Sequence, residues 1–297
     1  MIYKVKNMYS EEERYIFFFA DVPHLIKTAR NCLWSSGSDF SPRFMWNNGS
    51  YLLWQHIKTM FYEDMDNGLK LMPKLTTDHI LLNSYSKMRV YLAAEILSNT
   101  VGNMLLKFGP EEAKGTAGFC LQMDQFFDCF NVRNTKEHKK TGKPFLAPYT
   151  TVDPKKDERF SFLDKFLKYL DDWKKSTMER PGEFSQTNRN NMFLSLPTYN
   201  GIKISISSLK EIIPFLLDQC GFDYVLTEKF CQDDIENYFG KQRAIGRFKD
   251  NPTAKDSIYN DNIIKSQFDT RPIAGNVRKA EFDPKDIPDT PIKKRKC

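Results

Sequence analysis

A group of carboxylates near residue 235 gives the first indication of chemistry in this chain. Asp233, Asp234 and Glu236 open a stretch with helical spacing, in which Ile235 and Phe239 are the apolar anchors. A spacing of three places Asp233 and Glu236 on one face of that helix. Carboxylates in this position can bind a metal ion, supply negative charge at a helix start, or form a solvated face. The residue types alone leave these three roles open.

A further acid, Asp21, follows an apolar aromatic run at residues 15–20 that predicts a strand buried on both faces. Pro23 then suits the first turn of a helix that ends near Cys32. A strand that delivers an acid at its end, followed by a helix, is how open α/β sheets place site residues. Asp21 also fits the simpler role of a helix cap.

Several segments of this chain resemble the P element-type transposases, the family that includes the THAP-domain transposases of animals. The family signature reads Gln-Asp, two residues, Glu-Asn-Phe-Phe-Gly, then Arg, Gly-Gly, Asn and Asp-Asn-Pro-Thr. This chain carries Gln232-Asp233, Glu236-Asn237-Tyr238-Phe239-Gly240, Arg243, Gly246 and Asp250-Asn251-Pro252-Thr253, with Arg247 in place of the second glycine. Four earlier segments recur in the family's order: Asp21-Val22-Pro23-His24-Leu25-Ile26-Lys27, Pro73-Lys74-Leu75-Thr76, Lys87-Met88-Arg89-Val90 with Leu92-Ala93-Ala94, and Phe127-Asp128 with Asn131. The resemblance covers roughly residues 15–265.

The resemblance implies a ribonuclease H-like catalytic fold in which Asp21 and Glu236 help to bind two Mg²⁺ ions. Hard carboxylates suit Mg²⁺, and a metal pair can activate the attacking group and stabilise the leaving oxygen at a DNA phosphodiester. The family's first aspartate is expected upstream of Asp21, and the amino-terminal THAP module is not recognisable in this sequence. We therefore expect a carboxy-terminal portion of a transposase that does not cleave DNA by itself.

The resemblance also implies a GTP-binding insertion. The positions that match its nucleotide-contacting residues are Lys74, Val90, Phe127, Asp128, Asn131 and Asp233. Asp128 can accept hydrogen bonds from guanine, Phe127 can stack on the base, and Lys74 can neutralise phosphate. The sequence holds no GxxxxGK[ST] phosphate loop, so an ordinary GTPase fold is not expected.

The elements that position these residues are predicted to be mostly helical. Apolar stripes at helical spacing run through residues 35–195, which predicts an all-helical unit. Alternating apolar residues predict a strand at 201–206 and a helix over 207–219, while 224–227 is ambiguous. The expected fold is mainly α with a small α/β part: an incomplete ribonuclease H-like fold interrupted by a large helical insertion. The expected segments are 1–34 and 196–267 for the ribonuclease H-like part, 35–195 for the insertion, and 268–297 for a disordered basic tail.

Composition and charge are compatible with these expectations. The net charge of +6 at pH 7 suits a polyanionic partner such as DNA. The candidates for DNA backbone contact, some of which are expected to be solvated surface instead, are Lys27, Arg30, Lys241, Arg243 and Arg247. Residues 293–296 form a basic run that fits a nuclear-localisation signal, although such runs also occur by chance. The six cysteines lack metal-site spacing, and no apolar run is long enough to cross a membrane.

The sequence thus predicts a fragment of a P element-like DNA transposase, with GTP, Mg²⁺ and DNA as ligands of the intact protein and with homo-oligomers possible. The alternative is a domesticated, non-catalytic protein that binds GTP or DNA.

Overall fold

A computed structural model describes residues 2–245 and 253–269, with side chains described up to residue 266. The chain divides into two compact units, the first ending at Gln232 and the second beginning at Asp233. The Arg247 position and the basic run at 293–296 lie outside the described residues.

Helices dominate the described part of the chain, as the sequence predicts, and the strands form two short antiparallel hairpins. The strands are β1 (Lys4–Lys6), β2 (Tyr15–Phe17), β3 (Met45–Asn47) and β4 (Ser50–Leu52). The helices of the first unit are α1 (Val22–Trp34), α2 (Trp54–Asp66), α3 (Thr77–Ile80), α4 (Val90–Ile96), α5 (Asn99–Phe108), α6 (Lys114–Phe130), α7 (Glu137–Thr141), α8 (Glu158–Glu179), α9 (Gln186–Asn191) and α10 (Leu196–Asp218). The second unit contains α11 (Asp233–Ile245) and α12 (Ala254–Asp269). In the described residues, no helix combines the length and apolar character needed to cross a bilayer.

Helix α6 lies at the centre of the first unit. Its predicted apolar stripe is buried, with Phe119, Met123 and Phe126 fully excluded from solvent. It packs against α5, α8, β4 and α1. The ring of Phe126 lies 5.3 Å from that of Phe166 on α8, within the range of favourable aromatic contact. The stripes that predict helix–helix packing over these segments are therefore confirmed.

The predicted strand at residues 201–206 is wrong, because this segment lies inside the 23-residue helix α10. Ile202, Ile206, Leu209 and Ile213 are all fully buried, and their spacing of four, three and four is that of a helix face. Gly201 permits a close approach to α1, since a Cβ there would lie 2.7 Å from Leu25 Cδ2. The alternating pattern of six residues was too short to distinguish the strand period of two from the helix period of 3.6.

The strand predicted at residues 15–20 is shorter and more exposed than expected. Only Tyr15–Phe17 is a strand, and it pairs with β1 in the register Lys4–Phe17, Val5–Ile16 and Lys6–Tyr15. Tyr15 and Ile16 are exposed, so the strand is not buried on both faces. Beyond it, the Ser208 hydroxyl donates to the Phe18 carbonyl at 2.5 Å. The Phe18 amide still donates to the Tyr3 carbonyl at 2.8 Å, whereas serines of α10 bond to the Phe18 carbonyl and to both backbone groups of Ala20.

The hairpin β3–β4 interrupts the segment 35–195 that was predicted to be all-helical. Asn48 and Gly49 form its turn with φ values of 44° and 91°. Two successive positive φ angles are typical of a type I′ turn, for which Asn-Gly is the preferred pair. The Asn48-Gly49 dipeptide was thus a readable hairpin signal that the sequence analysis missed.

The second unit is a helical pair that polar side chains connect. Tyr238 of α11 donates to Asp261 of α12 at 2.8 Å, and buried Asn260 donates to the Gln242 carbonyl at 3.0 Å. Helix α12 was not predicted. Gly246 and residues 250–252 of the family signature lie outside the described residues.

Candidate nucleotide-binding site

A cavity of about 590 Å³ lies in the first unit, beside the C-terminal half of α6. Its other walls are the loop at residues 71–75, the facing parts of α4 and α5, helix α7 and the turn that follows it. Four of the six residues predicted to contact nucleotide line this one cavity: Lys74, Phe127, Asp128 and Asn131. Their positions in the sequence are up to 57 residues apart (131 minus 74), so the fold and not the chain order brings them together.

Helix α6 supplies three of these residues from its last turn. Phe127 is partly buried against the core and also faces the cavity, so its ring is held in place. Asp128 is buried, and Asn131 is the C-cap residue of the helix. A ring, an acceptor and an amide are thereby fixed on one rigid support.

Asp128 belongs to an ion-pair cluster with Asp124 and Lys143. The Lys143 ammonium donates to both Asp124 oxygens at 2.8 and 2.9 Å, and to both Asp128 oxygens at 3.0 and 2.9 Å. Burial and the neighbouring Asp124 charge raise the pKa of Asp128 to about 6, against the opposing effect of Lys143. Burial lowers the pKa of Lys143, but the two carboxylates outweigh it and leave that pKa above its ordinary value. Asp128 is therefore a proton-sensitive acceptor inside the cavity.

The loop that carries Lys74 is anchored by an acid on another helix. The buried Asp64 of α2 accepts from the Leu71 amide at 2.8 Å and from the Met72 amide at 2.9 Å. Met72 and Leu75 are buried on either side of Lys74, which is itself exposed. The loop is thus tied at its base while the lysine can reach towards the cavity.

Glu95 of α4 places a further carboxylate on the cavity wall. The Thr76 amide donates to His79 Nδ1 at 3.0 Å, so that nitrogen carries the lone pair and His79 Nε2 carries the proton. Nε2–H then donates to Glu95 Oε2 at 2.8 Å. Buried His79 therefore orients Glu95.

Sequence reasoning missed Asp124, Lys143 and Glu95. Asp124 lies four residues before Asp128 on the same helix face, which was a usable signal. Lys143 stood among several lysines of a polar loop, and nothing in the sequence distinguished it.

Comparisons with known proteins find similarity to a GTP-binding insertion domain and to P element transposases. Residues 23–144 match the family model of a TNP-like, GTP-binding insertion domain, a range that contains all the cavity side chains named above. A curated relative, the Transposable element P transposase of Drosophila melanogaster, is 28% identical over 244 residues, which cover 80% of this chain and 29% of that protein. A solved Drosophila P element transposase strand transfer complex aligns with a TM-score of 0.62 at 26% identity, over 84% of this chain and 52% of the solved chain.

The chain is similar in sequence and in fold to the P element-type transposases.

The similarity to these transposases covers only part of their length. The chain spans 29% of the curated P element transposase and about half (52%) of the solved chain. The activity, substrates and partners of an intact P element transposase are therefore treated as proposals for this chain.

Two of the predicted nucleotide contacts lie outside the cavity lining. Val90 is the first residue of α4, one turn before Ala94, which does line the cavity. Asp233 is the first residue of α11 and is exposed in the second unit. Its role, like that of Val90, stays a prediction from the resemblance to P element transposases.

Asp21, predicted as a catalytic metal ligand, has its carboxylate engaged by protein groups. Its Oδ2 accepts from the His24 amide at 3.0 Å, which caps α1, and also contacts the His24 ring. Its Oδ1 accepts from the Gln232 amide at 3.0 Å. The structure thus shows the capping role that the sequence had left open.

Glu236, the other predicted metal ligand, is exposed on α11 in the second unit. In the described part of the chain, no group of three or more His, Cys, Asp or Glu side chains is placed to hold a metal ion. The described residues do not by themselves fit a Mg²⁺ centre. Metal binding by Asp21 and Glu236 remains a prediction.

The predicted DNA contacts divide by exposure. Arg30 is fully buried and donates to the Lys87 carbonyl at 2.9 Å, so it joins α1 to the turn before α4 and does not offer its charge to a phosphate backbone. For Arg30 the prediction is wrong, because the guanidinium satisfies backbone carbonyls inside the core. Lys27 is half-buried, while Lys241 and Arg243 are exposed.

Proposed function

We propose that this chain binds GTP in the cavity beside α6, as part of a P element-like DNA transposase. The observation that carries the proposal is the convergence of Lys74, Phe127, Asp128 and Asn131 on that cavity. These are residue types that recognise a purine nucleotide, and they lie within the range matched by the GTP-binding insertion domain family.

The chemistry of guanine fits the α6 side of the cavity. Guanine presents N1–H and a 2-amino group, and both can donate to the ionised Asp128 carboxylate. Phe127 offers a ring on which the base can stack, and the Asn131 amide can pair with another base edge. Lys74, on the loop that Asp64 anchors, supplies positive charge for phosphate.

A titration with matched nucleotides tests this assignment. The purified chain should bind GTP saturably at neutral pH and should bind ATP more weakly, because adenine has no donor at N1. Asp128→Asn should lower GTP affinity by about 1–3 kcal/mol, since an amide cannot accept both guanine donors. The same variant should gain affinity for XTP, whose 2-oxo group accepts from an amide.

Asp172→Asn is the matched control, because Asp172 is exposed on α8 away from the cavity lining. It should bind GTP like the wild type. A folded wild-type chain that shows no saturable GTP binding would reject the proposal.

For the whole protein, we propose that segments 1–34 and 196–267 belong to a ribonuclease H-like fold that carries the insertion. DNA would then be the partner, with Mg²⁺ the metal of the complete catalytic centre and the nucleus its location. The similarity to the strand transfer complex supports DNA as a partner. Binding of this chain to duplex DNA, lost when Lys241 and Arg243 are both changed to Ala, is the test in a gel-shift assay.

A second candidate function is GTP binding without DNA cleavage. The contacts of Asp21 favour it, because both oxygens of this predicted metal ligand accept from backbone amides of the first unit. A chain that binds GTP and stays inert towards duplex DNA with Mg²⁺ present would fit this candidate, whereas nicking that disappears in Glu236→Gln would exclude it.

A further inference from the structure

The cluster of Asp124, Asp128 and Lys143 contains two residues to which the similarity to transposases assigns no role. Lys143 Nζ lies within 3.0 Å of all four carboxylate oxygens. The lysine side chain is one-third exposed (34%), while the aspartates are about one-tenth exposed (10% and 9%). Lys143 therefore reaches in from the turn after α7 and closes over two buried acids.

We propose that Lys143 is a positioning residue of the nucleotide site: its ammonium group, anchored on Asp124, holds the Asp128 carboxylate ionised and oriented to accept the guanine base. The inference rests on the proposed GTP function and deepens it. It assigns to Lys143 and Asp124 the control of the charge and orientation of the Asp128 carboxylate. Neither residue has to contact the nucleotide directly.

The charges around Asp128 explain why such a group is needed. The ionisable side chains that face the cavity from its walls are Lys74, Glu95, Asp124, Glu137 and Lys143. Asp124 and Glu137 raise the pKa of Asp128 in addition to burial, and among these neighbours only Lys143 lowers it. Without the lysine, two buried acids four residues apart on one helix would compete for a proton. A protonated Asp128 carries a hydroxyl hydrogen. That hydrogen would face the N1–H or the 2-amino group of guanine, so the protonated oxygen would meet a donor with another donor.

The geometry leaves room for the base while Lys143 stays bound. Each carboxylate oxygen can accept two hydrogen bonds, so Asp128 can serve the lysine and guanine together. The ammonium group has three donors, and Asp124 offers two acceptor oxygens that keep it in place. Lys143 therefore does not have to leave for guanine to bind.

Two variants of opposite expected effect test the inference through the pH dependence of GTP affinity. Lys143→Met removes the charge, so GTP affinity at pH 7 should fall by about tenfold or more and recover as the pH rises, because one unit of pKa corresponds to a factor of ten in protonation. Asp124→Asn removes the repelling carboxylate, so binding should persist to lower pH than in the wild type. Lys143→Arg keeps the charge and should leave the profile near that of the wild type.

A carboxyl NMR titration of Asp128 without nucleotide gives a second measurement that does not depend on GTP. The pKa of Asp128 should rise in Lys143→Met and fall in Asp124→Asn. Wild-type binding with a Lys143→Met profile that matches the wild type would overturn this inference and leave the proposed function standing. A wild-type chain that fails to bind GTP at every pH would overturn both.

Discussion

The hydroxyl of Ser205 makes a two-way hydrogen bond with Ala20. It accepts from the Ala20 amide at 3.0 Å and donates to the Ala20 carbonyl at 3.1 Å. Ser205 is fully buried on α10, and Ala20 is the residue before the α1 cap. One side chain thus satisfies a backbone donor and a backbone acceptor three residues beyond the end of β2.

Removal of this hydroxyl should therefore be costly. Ser205→Ala leaves the Ala20 amide and carbonyl without their partner, and we expect a loss of about 1–3 kcal/mol in the free energy of unfolding. Urea unfolding followed by circular dichroism measures the change. Ser207→Ala, two residues along the same helix on a half-buried position, is the control and should change stability by less than about 0.5 kcal/mol. Equal effects of the two changes would contradict the described packing of α10.

Two glycines in helix interiors should respond in opposite ways to alanine. At Gly118 of α6 an added Cβ meets nothing within 4 Å, so Gly118→Ala should stabilise the protein by about 0.5–1 kcal/mol through helix propensity. At Gly201 of α10 the added Cβ would lie 2.7 Å from Leu25 Cδ2 and 3.1 Å from Ala20 Cβ. Because Leu25 is buried and has little room to move, Gly201→Ala should destabilise by about 1–3 kcal/mol. Thermal unfolding of both variants in parallel separates the two effects, and a gain at Gly201 would be incompatible with the close contact of α10 and α1.

The capping contacts of Asp21 predict a stability effect that is independent of any metal. Asp21→Ala removes the acceptor for the His24 and Gln232 amides and should lower the free energy of unfolding by about 1–2 kcal/mol. Asp21→Asn keeps an acceptor at the cap and should lose less. Both are measured by chemical unfolding in a chelating buffer. If Asp21→Ala is as stable as the wild type, the carboxylate is not structural and the metal-ligand prediction gains weight.

The raised pKa of Asp128 predicts how stability varies with pH. The pKa of Asp128 is about 6 in the folded chain, against an ordinary value of 3.8 that applies to the unfolded chain. The folded state therefore binds the proton more tightly than the unfolded state does. As the pH falls from about 6 to about 4, this group should make the protein more stable, and above pH 6 its contribution is fully unfavourable. The wild type should therefore gain stability relative to Asp128→Asn over that interval. Unfolding curves at pH 4, 5, 6 and 7 for both proteins give the difference, and a difference that does not change with pH would contradict the shifted pKa.

Sequence reasoning found the cavity residues because family-like short motifs located them, and not because their spacing revealed a pocket. Phe127 and Asp128 are neighbours on α6, but Lys74 arrives from a loop that a buried acid on α2 holds in place. Such a long-range anchor leaves no local pattern in the sequence. The same is true of Lys143, whose two carboxylate partners lie 15 and 19 residues earlier.

The errors at residues 15–20 and 201–206 have a common physical origin. At 201–206 a period of two and a period of 3.6 fit almost equally well over six residues, and at 15–20 the continuous apolar run did not show where strand pairing ends. In the folded chain the two runs lie in contact. Helix α10 carries the buried Ile202 and Ile206 of the second run, and its Ser205 and Ser208 hydroxyls donate to the Ala20 and Phe18 carbonyls of the first. Tertiary contacts decided the helical period of residues 201–206 and the length of the strand that begins at Tyr15, and single-segment patterns contain no information about such contacts.

Hydrogen bonds from the Leu71 and Met72 amides to Asp64 attach the loop of Lys74 to α2, whereas Phe127 and Asp128 belong to α6. A molecule held at one end by the lysine and at the other by the aromatic ring and the acid would brace these two helices against each other. A bound ligand would then reduce the motion of α2 and α6 relative to each other, including parts of these helices that do not touch the ligand.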